Sequence, residues 1–138
     1  AMTATAPELQ PWWVSARSIR DDVAECLERD DTDMALRLLI DGVNRIPEEA
    51  DDAQLALLLE EPSSIGPVRW DTLLAALIRY RLHRIDRVPP RWTWKKPLDR
   101  FWWPVRINPS KGYNDMAHSP AELSRVGIFM DRRSLTSA

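Results

Sequence analysis

The residues of this chain best suited to nucleophilic or acid-base chemistry are a serine beside a histidine. A hydroxyl nucleophile needs a general base in hydrogen-bond contact with it, and His118 directly precedes Ser119. Adjacency along the chain does not create that contact, and Ser119 is better explained as the cap of a helix that starts there. A small hydrolase or transferase would require His118 to meet a carboxylate or hydroxyl in a pocket. We therefore predict a protein that is not an enzyme and has no catalytic residues.

Metal and cofactor sites have equally little support in the sequence. Cys26, His83 and His118 are the soft or imidazole ligands, and they are scattered without the spacing of a metal site. The acidic clusters coincide with predicted helix starts, where negative charge favours the helix dipole. Phosphate-binding and dinucleotide-binding loops need several neighbouring glycines, and the four glycines are isolated. We expect no metal and no cofactor, and we expect His83 to lie solvated on the outer face of its helix.

A tract rich in tryptophan and arginine is the most informative feature. Four tryptophans fall within twelve residues, at positions 92, 94, 102 and 103, and residues 69–106 carry ten basic and three acidic side chains. Tryptophan and arginine dominate the binding energy of protein interfaces, and basic residues interleaved with aromatics also suit nucleic acid. The sequence pI of about 5.7 argues against nucleic acid, and most of these rings are expected to pack in the core. The candidate partner-binding residues are Arg81, Arg84, Trp94, Arg100 and Trp102.

Charge is segregated along the chain. Residues 1–61 hold 15 acidic and five basic side chains, a net charge of −10, while residues 62–138 hold six acidic and 14 basic ones, a net charge of +8. This asymmetry indicates either a basic binding face or two halves that fold against one another and cancel. The single cysteine fits a reducing compartment, and without a signal peptide or membrane span in the pattern we expect a cytoplasmic protein.

The elements that must position these residues are mainly helices. An extended arm covers residues 1–14, with Ala1 read as an expression-tag scar and Trp12 and Trp13 docking the arm. A single helical domain covers residues 15–138. Apolar periodicity, caps and proline breaks predict four helices: from Ser15 to about Arg29, from a cap at Asp31 or Thr32 to Ile46, from Asp52 to Glu60, and from a cap at Asp71 to Asp86.

Prolines 97, 104 and 109 then predict an irregular tryptophan-rich segment that wraps the fourth helix and continues to Ser119. Ser119 to Glu122 has the form of a capping box, opening a short helix that Gly127 would close. After it, residues 128–130 could form a short strand, or residues 131–135 a last helical turn. Gly42, inside the second helix, indicates a close helix crossing. The fold class is thus mostly α, with about four helices and a short C-terminal helix-turn.

Residues 53–136 resemble a group of actinobacterial proteins described as uncharacterised or antitoxin-like. The matching positions are Arg69, Trp70 and Asp71, then Arg91 and Trp92, residues 97–103, residues 116–120, and Gly127, Ile128, Phe129 and Asp131. Relatives of this kind follow a helix-turn-helix domain or are encoded beside nucleotidyltransferase-like toxins. The first 50 residues here show two helices but no convincing helix-turn-helix, so promoter binding is not implied.

The resemblance implies an antitoxin-like or regulatory partner of a toxin, and we predict a non-enzymatic protein-binding module. The alternative is a nucleic-acid-binding protein that uses the basic segment 69–106. A homo-oligomer is compatible with either function, and no membrane partner is expected.

Overall fold

A computed structural model describes residues 7–105 and 109–135 of the chain. They form a small, mostly helical domain, as the sequence predicts. Its elements are α1 (Ala16–Glu28), α2 (Thr32–Asn44), α3 (Asp52–Leu58), α4 (Val68–Arg84), a 3₁₀ turn at Arg91–Thr93, α5 (Pro109–His118), α6 (Ala121–Ser124) and a 3₁₀ turn at Arg132–Leu135. Within the described ranges no helix is both long and apolar enough to cross a lipid bilayer.

The first two helices pack as a hairpin around Gly42. The predicted crossing is confirmed. A Cβ added to Gly42 would lie 2.8 Å from Cγ1 of Ile19 on α1, which is shorter than a van der Waals contact between two carbon atoms. Asp31 caps α2 by accepting a hydrogen bond from the Met34 amide. Ser15 caps α1 with a reciprocal capping box to Ser18, because both side chains can reach the free amides of the first turn.

α4 is the central helix, and nine of its 17 residues are buried. It packs against α2, α6 and the first 3₁₀ turn. Arg87, just beyond its end, donates to the Ala50 carbonyl at 2.6 Å and pairs with Asp52 at 2.6 Å. This contact fixes the end of α4 against the start of α3.

The predicted start of α4 at Asp71 is wrong. The helix begins at Val68 after Pro67, which has no side chain able to cap it. Asp71 lies in the first turn and accepts hydrogen bonds from the Ile65 amide at 2.7 Å and the Ser64 hydroxyl at 2.6 Å. The carboxylate therefore stabilises the preceding loop rather than the helix terminus. The local sequence pattern does not show which of these two roles an aspartate takes.

The C-terminal part also differs from the prediction. α5 occupies residues expected to be irregular, and Ser119 is not a helix cap, since Pro120 precedes α6 without a side-chain cap. The buried Ser119 hydroxyl instead accepts from the Met130 amide at 2.7 Å and lies 2.6 Å from the Asp115 carbonyl. Its hydroxyl thus joins the end of α5 to the segment that follows α6.

Beyond α6 the predicted last helical turn forms, and the alternative strand does not. Gly127, at φ 82°, ends the α6 turn as expected, and Ile128 makes one isolated parallel bridge with Trp102 rather than a strand. The last helical turn is the 3₁₀ turn at residues 132–135.

At the other terminus Trp13 is half-buried and its indole N–H donates to Glu49 at 3.2 Å, whereas Trp12 is 68% exposed. Of the two rings predicted to dock the arm, only Trp13 does so.

Candidate binding surface beside α4

Trp102 anchors the irregular segment against the start of α4. Its ring meets Trp70 edge to face at 5.3 Å between centroids, and the guanidinium carbon of Arg69 lies 5.0 Å above it. Its backbone amide donates to the Gly127 carbonyl, and its carbonyl accepts from the Phe129 amide, both at 2.9 Å. Ring and backbone are therefore both fixed, and the position of this segment on α4 is defined.

The irregular segment at residues 95–102 and the start of α4 line an open groove of about 830 Å³, which we call the Trp102 groove. Its lining residues are 67–69, 72 and 95–102. Val68 and Phe101 present apolar side chains there that are 70% and 63% exposed. Exposed apolar groups gathered in one concave site are typical of a binding surface.

The rim of the Trp102 groove is basic. Arg69, Lys95, Lys96 and Arg100 line it, and Asp99 is the one acidic residue in the lining. Within the described residues none of these four cations forms an ion pair with a carboxylate. The groove therefore combines an apolar interior with a positive edge that the described part of the chain does not neutralise.

Trp94 lies next to this groove and contacts two arginines, which with it form what we call the Trp94 cluster. The guanidinium carbons of Arg125 and Arg79 are 3.6 Å and 4.8 Å from the centre of the indole. Arg125 also donates to the Lys95 carbonyl at 2.8 Å, and Arg79 to the Thr93 hydroxyl at 3.3 Å. Burial, and to a lesser extent the charge of Arg79, lower the pKa of Arg125 from its usual value. The indole nevertheless remains 61% exposed.

The five predicted site residues do not form one cluster. Arg100 and Trp102 line the groove, and Trp94 adjoins it through the Lys95 backbone. Arg84 is exposed and stacks on Tyr80 at 5.5 Å near the far end of α4. That end is about 22 Å from the Arg69 end, at 1.5 Å rise per residue.

Arg81 points into the protein rather than toward a partner. It donates from Nη2 to the Ile46 carbonyl at 2.8 Å, and its buried Nε has no hydrogen-bond partner in the described part of the chain. The side chain thus connects the last turns of α4 to the end of α2. Arg81 therefore has a structural role and is not part of the candidate surface.

Sequence reasoning singled out neither of the arginines that hold Trp94. Arg79 was included only as part of the basic tract, and Arg125 lies outside that tract, 31 residues beyond the ring it covers. An arginine in a turn has no local signature of such a contact. The approach of Arg125 depends on α6 packing against α4, which is a tertiary contact.

The structure gives no support to a nucleophilic site at His118. This residue is exposed, and its ring makes no hydrogen bond within residues 7–105 and 109–135; its carbonyl accepts from Arg132. His83 is exposed, as expected, and its ring nitrogen also lies 2.8 Å from the Glu122 carboxylate, linking α4 to α6. Within the same residues no group of three potential ligands is arranged to hold a metal.

The fold and the surface define a small all-α domain with a basic and aromatic groove. Comparison with protein-family models, curated proteins and solved structures gives no match. Function is therefore inferred from the geometry of this surface.

Proposed function

We propose that this protein is a non-enzymatic protein-binding module whose Trp102 groove accepts an acidic, partly apolar segment of a partner protein. One observation carries this proposal. The exposed apolar side chains of Val68 and Phe101 line the same groove as four cations that have no carboxylate partner in the described residues. Apolar contacts in the groove would supply affinity, and the positive rim would select acidic partners and accelerate their association.

A protein segment fits this surface better than a nucleic acid does. Non-specific binding of single strands relies on aromatic faces on which bases can stack. The indole of Trp102 is already covered by Arg69 and Trp70. The indole of Trp94 is exposed but already contacts Arg79 and Arg125, which would compete with a base for it. The acidic first half of the chain would also repel a long polyanion.

The resemblance of residues 53–136 to antitoxin-like proteins adds a candidate class of partner, the nucleotidyltransferase-like toxins. Under this proposal the module neutralises or regulates the toxin by occupying an acidic patch on it. The resemblance alone supports the identity of this partner class, whereas the groove supports binding of an acidic segment whichever partner supplies it.

The test compares defined ligands on the purified full chain by fluorescence anisotropy. The ligands are a peptide alternating glutamate with leucine, the same peptide with lysine in place of glutamate, and a single-stranded DNA oligonucleotide of matched length. We expect the acidic peptide to bind most tightly. Because interface anchors contribute more than about 1 kcal/mol each, Phe101→Ala and Arg100→Glu should each weaken binding roughly fivefold or more.

Arg37→Glu is the matched control, because Arg37 is an exposed arginine on α2, away from the groove. Tighter binding of DNA than of the acidic peptide, with a steep loss of affinity as salt rises, would favour the nucleic-acid alternative. Equal binding of the acidic and basic peptides, or equal effects of Arg100→Glu and Arg37→Glu, would refute the proposed groove.

A further inference from the structure

The Trp94 cluster has a feature that the proposed function does not use. Arg79 and Arg125 approach one exposed indole, so their guanidinium carbons are no farther apart than the sum of 3.6 Å and 4.8 Å. Neither forms an ion pair with a carboxylate in the described ranges. Two like charges are therefore held near each other at the surface without an anion to compensate them.

The contacts that hold the two arginines leave hydrogen-bond donors available. A guanidinium carries five N–H donors, all in its plane. The guanidinium carbons lie over the indole ring, and the donors that are used reach the Lys95 carbonyl from Arg125 and the Thr93 hydroxyl from Arg79. Most N–H groups of both side chains therefore have no hydrogen-bond partner in the described part of the chain and are available to a ligand.

We infer that Arg79, Arg125 and the exposed edge of Trp94 form a binding site for a phosphate monoester. Stacking on an aromatic ring and bidentate bonding to phosphate are both characteristic of arginine. The stacking also orients the guanidinium groups before a ligand arrives, which reduces the entropy lost on binding.

A phosphate monoester fits this site better than a carboxylate. A carboxylate has two coplanar oxygens and one charge, which match a single guanidinium. A phosphate monoester has three terminal oxygens directed away from one another and carries close to two charges near neutral pH. It can therefore bond to both arginines and neutralise both. Mutual repulsion contributes to the lowered pKa of Arg125, and a dianion would relieve it.

The site goes beyond the proposed function, since none of its three residues lines the Trp102 groove. Its ligand is defined by chemistry and has two sources, a small phosphate monoester or a phosphorylated side chain of a partner. The two share the same terminal group, and separate ligands in one titration distinguish them.

The test is a titration of the full ¹⁵N-labelled chain followed by NMR at constant ionic strength, at a pH of about 7.5, where the monoester is mainly dianionic. The reporter is the indole N–H signal of Trp94, assigned by its disappearance in Trp94→Phe. The ligands are inorganic phosphate, phenyl phosphate and a short phosphoserine peptide, with dimethyl phosphate and acetate as monoanionic controls. We expect saturable shifts of the Trp94 signal with the first three, and the tightest of them identifies the source.

Arg79→Gln and Arg125→Gln should each reduce the affinity about tenfold, the size expected from losing hydrogen bonds to a charged group, while Arg37→Gln should leave it unchanged. Circular dichroism establishes that each variant is folded. Should Arg125→Gln not fold, Arg79→Gln and the more conservative Arg125→Lys give the same comparison, since lysine retains the charge but not the planar donors.

Three results would overturn the inference: no saturable shift at Trp94 with any monoester, equal affinity for dimethyl phosphate or acetate, or equal loss in Arg37→Gln. Loss of phosphate binding in Arg79→Gln with peptide binding intact would separate this site from the Trp102 groove. Failure of the groove proposal would conversely leave the phosphate titration unaffected.

Discussion

Replacing Gly127 by alanine tests how the structure places Phe101 at the groove. Gly127 has φ 82°, in the left-handed region that alanine adopts at a cost of about 1–2 kcal/mol. A Cβ added there would lie 3.3 Å from Cδ1 of Phe101, a tight contact that would require that ring to move. Together these effects predict that Gly127→Ala lowers the free energy of unfolding by about 2 kcal/mol.

The assay is urea denaturation followed by far-ultraviolet circular dichroism, with a thermal melt as a second measure. For a domain of this size, about 2 kcal/mol corresponds to a fall of roughly 8 °C in Tm. The two contributions separate in a double-mutant cycle with Phe101→Ala. Because Phe101 is 63% exposed, its own removal should cost less than about 1 kcal/mol.

In the Phe101→Ala background the steric contribution is gone, so Gly127→Ala should cost about 1 kcal/mol less than in the wild type, with only the backbone strain remaining. An equal cost in both backgrounds would refute the claim that Gly127 makes room for Phe101. Unchanged stability in both would refute the left-handed conformation itself.

Two further predictions concern stability. Gly42→Ala should destabilise the α1–α2 hairpin by about 1 kcal/mol, because overpacking against Ile19 exceeds the gain in helix propensity; a stabilised variant in urea denaturation would contradict this. Hydrogen bonds from the Arg133 side chain and backbone hold the pKa of Asp131 well below its usual range. Asp131 should thus stabilise the fold above pH of about 4 and lose that contribution as the pH falls. Asp131→Asn should therefore lose less stability between about pH 7 and pH 3 than the wild type, and equal urea midpoint shifts would show that Asp131 is not responsible.

The sequence predicts the fold well where the determining contacts are local. Asp31 caps α2 as expected, because the capping bond joins residues three apart. Asp71 looks equally suited to capping, yet its carboxylate bonds back to Ser64 and Ile65. The difference is that the loop before Asp71 folds back onto its carboxylate. That contact exists only in the folded chain and has no signature in the local sequence.

α5 was missed because its sequence lacks the signals on which the other helices were predicted. It begins at a proline, which was read as a break, and contains Gly112, which lowers helix propensity. Its end is joined by the Ser119 hydroxyl to Met130, eleven residues later. A helix defined by such a distant contact is not apparent in a local window.

In the tryptophan tract, too, the packing of each ring depends on contacts with residues distant in the sequence. The indole N–H of Trp92 donates to the Leu59 carbonyl at 2.8 Å, and that of Trp103 to the Gly112 carbonyl at 3.3 Å. Trp102 packs on Trp70, while Trp94 stays exposed. The sequence indicated that most of these rings pack and that some remain available. Which ring belongs to which group depends on carbonyls up to 33 residues away.

The cations at the rim of the Trp102 groove have no carboxylate partner in the described residues because several of the acidic residues make other contacts. In the first half many of the carboxylates are placed at helix starts, where Asp31 and Asp51 accept backbone amides. Asp52 pairs with Arg87 and so joins the two halves, while in the second half Asp71 bonds to its own loop. Asp31, Asp51 and Asp71 thus bond to backbone amides, and the described contacts of Asp52 go to Arg87 rather than to the cations of the groove rim. Because the groove lies at the start of α4 whereas Arg87 meets α3 beyond the other end of that helix, Asp52 does not compensate the rim, and the basic groove keeps a charge that an acidic partner can neutralise.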